Sequence, residues 1–180
     1  SAITSGVFTS LASITVDAGD GDDTIIGAAS VSSALSGGDG NDVITGGSAG
    51  DTLMGNDGQD TINGGVGNDD INAGDGDASV LAGAGDDTVI GDDGDDTVFG
   101  GAGNDSVIAN NGADSIFGEL GNDTLNGDGG FDSIDGGDGN DLVFAGADND
   151  TVTGGLGNDT LNGQAGNDSI DGNEGDDSIN

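Results

Sequence analysis

The sequence predicts an all-β solenoid of short stacked strands, and two observations carry that prediction. From Gly37 to Asn180, 144 residues divide into 16 nonapeptides without an insertion or deletion. Position 8 of the unit is Ile, Leu or Val in all 16, and position 6 is Asp in 15, Ala78 being the exception. A short fixed period held this strictly marks stacked structural repeats. Composition alone points the other way. The 36 acidic residues, 41 glycines, 3% aromatic content and absence of Lys, Arg, His, Cys and Pro describe a disordered chain. Order overrides composition, because random polar sequence does not keep register.

Each unit has two parts. Position 1 is Gly or Ala throughout and position 4 is Gly in 14 of 16, with Ala49 and Asp148 departing. Such residues permit the backbone angles of a tight turn, expected over positions 1–6. Asp tolerates left-handed angles better than most residues, so a normal turn is expected at Asp148. Positions 7–9 read Thr or Ser, aliphatic, variable: a three-residue strand with its middle side chain turned inward. Parallel stacking lines these aliphatics into a column. One large apolar residue per unit does not offset the entropy of ordering a glycine-rich backbone. Something else must hold the turns.

Upstream, residues 18–36 read as a first, degenerate coil. AGDGDDTII, 18–26, places Asp23 at position 6 and Ile25 at position 8, while GAASVSSALS, 27–36, carries one extra residue and no acid, with Leu35 at the inward place. Residues 1–17 are Ser/Thr/Ala-rich, with Ile3, Val7, Phe8, Leu11, Ile14 and Val16 spaced like strand residues. They are expected to be a metal-free start or cap, since no basic region or cleavage pattern marks a signal peptide.

A formal charge of −36 excludes nucleic acid as a partner, because no cation can neutralise phosphates. No apolar run approaches the ~20 residues of a spanning helix, so direct membrane insertion is not expected. The turns offer only carboxylate and carbonyl oxygens, which excludes zinc and copper and favours calcium over the stricter magnesium octahedron. No stretch fits an EF-hand loop. Catalysis has no His or Lys base, and Glu119 and Glu174 lie three coils apart, ~14 Å by strand spacing. No enzyme is expected.

GGAGNDSVI at 100–108, GGLGNDTLN at 154–162 and GGVGNDDIN at 64–72 resemble the repeats-in-toxin (RTX) nonapeptide G-G-x-G-x-D-x-U-x. The resemblance covers about nine-tenths of the chain. It implies a right-handed parallel β-roll, two nonapeptides to the coil, with calcium between each turn and the turn two units further on. It also implies the ligands: carbonyls of positions 2 and 4 from one turn, of positions 1 and 3 from its neighbour, and the position-6 aspartates of both. Carried onto this chain, such carbonyls include those of Gly100, Gly101, Ala102 and Gly103, and of Gly154, Gly155, Leu156 and Gly157. Each aspartate would then serve two ions.

Position 2 supports the coil of two nonapeptides independently. It is Gly in six of the eight units starting at 46, 64 and every second unit onward, but in three of the eight alternating with them. The two sides of the roll therefore differ. One side stacks Asp23, Asp42, Asp60, Ala78, Asp96, Asp114, Asp132, Asp150 and Asp168. The other stacks Asp51, Asp69, Asp87, Asp105, Asp123, Asp141, Asp159 and Asp177. These columns have 15 gaps, of which 13 avoid Ala78, so 13–15 calcium ions are expected. They would replace the missing Lys and Arg, and without them the chain should stay expanded.

None of the five Phe occupies position 8. Strand alternation puts Leu81, Phe99 and Phe117 on one outer face and Ile90 and Ile108 on the other, with Phe144 also at position 9. Outward apolar residues of this kind predict an interface with a neighbouring domain or subunit, or a homo-oligomer. The expected role is a calcium-ordered structural or assembly region of a secreted bacterial surface protein: a surface layer, filament or adhesin. The alternative is the folding module of a type I-secreted enzyme or toxin. Ice binding is a minor third reading, disfavoured because position 3 is irregular. Export and folding in extracellular calcium are implied by the resemblance. The array stops on a unit boundary with no capping segment, as expected of a piece of a longer chain.

Overall fold

Position 8 of each unit packs on position 8 of the second unit along, as in the pairs Val80↔Val98 and Val98↔Ile116. This register builds the whole molecule. The computed structural model describes residues 12–180. The first strands are β1 Ile14–Asp20, β2 Thr24–Ile26, β3 Ser33–Asp39, β4 Val43–Gly47, β5 Thr52–Asp57 and β6 Thr61–Val66. Next come β7 Asp70–Asp75, β8 Ser79–Ala84, β9 Thr88–Asp93, β10 Thr97–Ala102, β11 Ser106–Asn111 and β12 Ser115–Leu120. The last are β13 Thr124–Gly129, β14 Ser133–Asp138, β15 Leu142–Ala147, β16 Thr151–Leu156, β17 Thr160–Ala165, β18 Ser169–Glu174 and β19 Ser178–Ile179. Odd-numbered strands form a ten-stranded sheet and even-numbered strands a nine-stranded one, every pair parallel. The chain is an all-β parallel solenoid with two sheets facing each other and two nonapeptides to the coil.

The first coil is one residue longer. Ile14 pairs with Ser33 and Thr24 with Val43, one residue beyond the two-unit spacing at which Ala34 pairs with Thr52. The extra residue of 27–36 is thus absorbed between β2 and β3. Leu35 takes the inward place and is fully buried. Ile3, Val7, Phe8 and Leu11 lie outside the described residues. β1 runs across the expected boundary between Asp17 and Ala18.

The core is two facing files of aliphatics, one from each sheet, Ile25 through Leu161, buried between the sheets; Ile170 is half-buried and Ile179 exposed in the final coil. The strands correct one sequence expectation. They typically run six residues, from position 7 through position 3 of the next unit, and the turn keeps only positions 4–6. Position 2 nonetheless has positive φ, as at Gly101 (109°), Asn110 (77°) and Gln164 (63°). The register skips position 1 and in most strands resumes at position 2 itself, so the ladder continues through the bend. One consequence is a second inward position: Ala73, Ala82, Ala109 and Ala145, all at position 1, are buried in the core. Asp148 has φ 82°, so the turn there is accommodated as expected.

Candidate metal-binding columns along the two edges

The turns stack along both edges of the roll, and each brings its position-6 aspartate beneath the preceding turn. Asp42 Oδ1 accepts the Asp23 N–H at 2.7 Å, Asp60 Oδ1 that of Asp42, and Asp114, Asp132, Asp150 and Asp168 repeat the bond from Asp96 onward. On the other edge the same bond joins Asp51, Asp69, Asp87, Asp105, Asp123, Asp141, Asp159 and Asp177. Ser33 stands at the head of that column, its N–H donating to Asp51 Oδ1. Both columns therefore assemble in the order expected. At Ala78 the first is interrupted: its N–H donates to Asp96 Oδ1, but no carboxylate stands below Asp60.

One oxygen of each carboxylate is thus used by the backbone. The other is not. Oδ2 of thirteen aspartates, from Asp42 to Asp159, is buried with no hydrogen-bond partner. These residues are buried while Asp168 and Asp177, at the last coil, are half-exposed. Burying an unpartnered carboxylate is costly, so the ionised state needs a cation or the group takes a proton. The acidities show it. Desolvation pushes Asp69, Asp96, Asp105, Asp114 and Asp132 up to about 6 and Asp123 up to about 7, and neighbouring aspartates add to the rise. The backbone N–H bond opposes the shift without cancelling it.

Carbonyl oxygens share these spaces. A methyl built on Gly100 would lie 2.7 Å from Asp105 Oδ2 and 3.0 Å from the Gly118 carbonyl; on Gly154, 2.5 Å from Asp159 Oδ2 and 2.7 Å from the Gly172 carbonyl. The position-1 carbonyl of one coil and the orphaned Oδ2 of the coil before it thus face a common space. Carbonyls of positions 2 and 4 point along the roll at the next turn: built methyls on Gly101, Gly103, Gly155 and Gly157 would strike those of Gly83, Gly85, Gly137 and Gly139. The position-3 carbonyls of Ala102 and Leu156 already accept the N–H of Gly85 and Gly139, which leaves each a second lone pair. Among the described residues no three acidic side chains converge on one point. Any ion here leans on backbone oxygen as much as on carboxylate. An oxygen-only, buried and unsatisfied donor set fits a hard divalent cation.

Position 5 carries a device the sequence reading missed. The N–H and side-chain amide of Asn104 both donate to Asp86 Oδ1, and Asn122, Asn140 and Asn158 repeat the double bond down the same edge. The signal was present in the sequence as Asn or Asp at position 5 in most units. Its use depends on the matching residue of the next coil.

The outward residues fall as strand alternation requires. Leu81, Phe99 and Phe117 are in register on the nine-stranded sheet, with the two rings stacked at 4.8 Å and 9°. Ile90 and Ile108 are paired on the ten-stranded sheet, where Phe144 also lies. Glu119 and Glu174 sit on β12 and β18, three strands apart.

Fold and columns together define a solenoid of stacked turns lined with hard-cation donors. The family model of the RTX calcium-binding nonapeptide repeat (4 copies) matches residues 15–30, 34–51, 45–80, 72–107, 90–125, 99–134, 117–152, 126–161 and 153–180. The chain belongs to that family of calcium-binding repeats. No curated protein sequence matches it. Among solved structures it is similar to a hyperactive, Ca2+-dependent, β-helical antifreeze protein from an Antarctic bacterium. That likeness has 24% identity and a TM-score of 0.45, over 92% of this chain and 70% of the other.

Proposed function

We propose that this region is a calcium-ordered structural segment of a secreted bacterial surface protein, expanded without the ion and rigid with it. The observation that carries the proposal is the set of thirteen buried, unpartnered Oδ2 atoms. The position-6 aspartates hold the ions, with carbonyls of the flanking turns. Thirteen gaps lie between consecutive aspartates, and thirteen divalent ions bring +26 against the formal −36. What calcium supplies is charge and cross-linking: it neutralises the columns and ties each turn to the next. In the folded roll the aspartate N–H···Oδ1 bonds hold the carboxylates aimed at those positions. The role is structural, with no catalysis assigned to these residues, and millimolar extracellular calcium is the setting in which it operates.

The acid-free stretch on the outer face of the nine-stranded sheet favours a surface or assembly role over that of a folding module alone, which needs no apolar exterior. Calcium titration of the chelated chain, followed by small-angle scattering and circular dichroism, tests the proposal. The expected result is collapse from a radius of gyration of about 45 Å to a short rod, with the sheet signal appearing in step. Sheet signal that survives chelation at neutral pH would overturn it.

A further inference from the structure

The two outer faces of the roll differ in charge over the same coils. β4, β6, β8 and β10 contain no acidic residue, while the strands behind them, β3 to β9 of the other sheet, carry Asp39, Asp57, Asp70, Asp75, Asp92 and Asp93. The acid-free face also has relief. Leu81 and Phe99 form a ridge along the roll; Phe117 continues it onto β12, where Glu119 takes the place of the glycine in the next file. Two residues further along each strand runs the glycine file Gly47, Gly65, Gly83 and Gly101, a trough without side chains. Beyond the trough Val66 stands 53% exposed.

We propose that this face docks on the same face of a second copy of the chain, the ridge of each lying in the glycine trough of the other. The inference rests on the calcium-folded reading above. Three points select a second copy as the occupant. First, ridge and trough lie side by side, about 7 Å apart, and both repeat at the ~4.8 Å strand spacing. A two-fold axis parallel to the roll therefore sets Phe99 of one copy over Gly101 of the other, and reciprocally. Second, a partner with a different repeat would lose this register after one or two strands. Third, charge steers the choice. A basic partner is drawn to the acidic sheet, whereas two strongly acidic copies approach only where carboxylates are absent. The four strands cover roughly 400 Å² per copy, about half the usual ~800 Å² per partner. The contact is therefore weak and reversible for isolated chains and becomes effective where many copies are held together.

The test is sedimentation velocity of the full chain in calcium over about 10 to 500 µM, with circular dichroism on the same samples. The wild type should pass from monomer to dimer. Leu81→Asn with Phe99→Asn should weaken the dissociation constant at least about tenfold with unchanged sheet signal; asparagine is already accepted in this file at Asn63. Ile108→Asn, on the opposite sheet, should leave association unaltered. A wild type that stays monomeric with full sheet signal overturns docking alone. So does a dimer weakened by Ile108→Asn and not by the ridge variant. Absence of sheet signal in calcium overturns the calcium reading and this inference with it.

Discussion

The two edges of the roll are built from the same unit but are not equally continuous. Along one, Asp51 to Asp177 runs unbroken, and position 5 of the same turns bears a continuous ladder from Asn68 to Asp176. Along the other, Ala78 interrupts the aspartates, and the position-5 file changes to Ala113 and Phe131, the latter 63% exposed. The difference teaches how such a molecule is held. Each coil touches chiefly its neighbours, so a missing carboxylate weakens two adjacent gaps and leaves the remainder of the column intact. An unbroken edge beside a broken one keeps the roll continuous where the other lapses.

Removing calcium should have the largest effect, since it strips both edges at once. Chelator at pH 7.5 is expected to abolish the sheet signal and expand the chain, as read by circular dichroism and scattering. Acid should partly substitute for the ion. The aspartates whose pKa is raised in the fold, to about 6 or 7 from an ordinary 3.8, keep protons that the unfolded chain releases. Their contribution to the metal-free fold is therefore full below about pH 4 and lost as the pH climbs through 6 to 7. In chelator, sheet signal should appear on acidification across that window and vanish on return to neutrality. With calcium present, acid should act oppositely on affinity, because protons compete for the same oxygens.

Single substitutions sharpen the contrast between edges. Asp123→Asn, in the middle of the unbroken column, removes a buried carboxylate shared by two gaps and should cost about 3–5 kcal/mol in calcium. Asp96→Asn, which borders the break and completes only one gap, should cost about half as much by the same thermal-unfolding measurement. Ala78→Asp runs the other way. It should restore the bond to the Asp60 N–H, add about 1.5–3 kcal/mol in saturating calcium and raise the bound-calcium count by two in equilibrium dialysis. The smallest effect is expected at position 5. Asn122→Ala interrupts an exposed ladder and should cost about 0.5–1.5 kcal/mol, against a smaller loss for Asn167→Ala on the interrupted edge.

Much of this was legible in order rather than composition. The inward files from Ile25 to Leu161 and the two aspartate columns follow from counting nines and from the alternating residue at position 2, because a strict period leaves one way to stack equivalent positions. Leu35 takes its inward place despite the extra residue before it. Strand length was not readable. Glycine, asparagine and glutamine at position 2 look like turn residues, and they do adopt positive φ, but whether they join the ladder depends on N–H and C=O groups presented by the next coil. For the same reason position 1 looked like turn and proved to be core, as Ala109 and Ala145 show, and the position-5 ladder became visible only with its neighbours in place. The sequence by itself determined the period, the inward files and the carboxylates that call for a cation. Only the tertiary structure decided where strands end, which oxygen of each carboxylate the backbone takes, and how ridge and glycine trough fall on one acid-free face, because each is settled by groups a full coil apart along the chain that meet only when the coils stack.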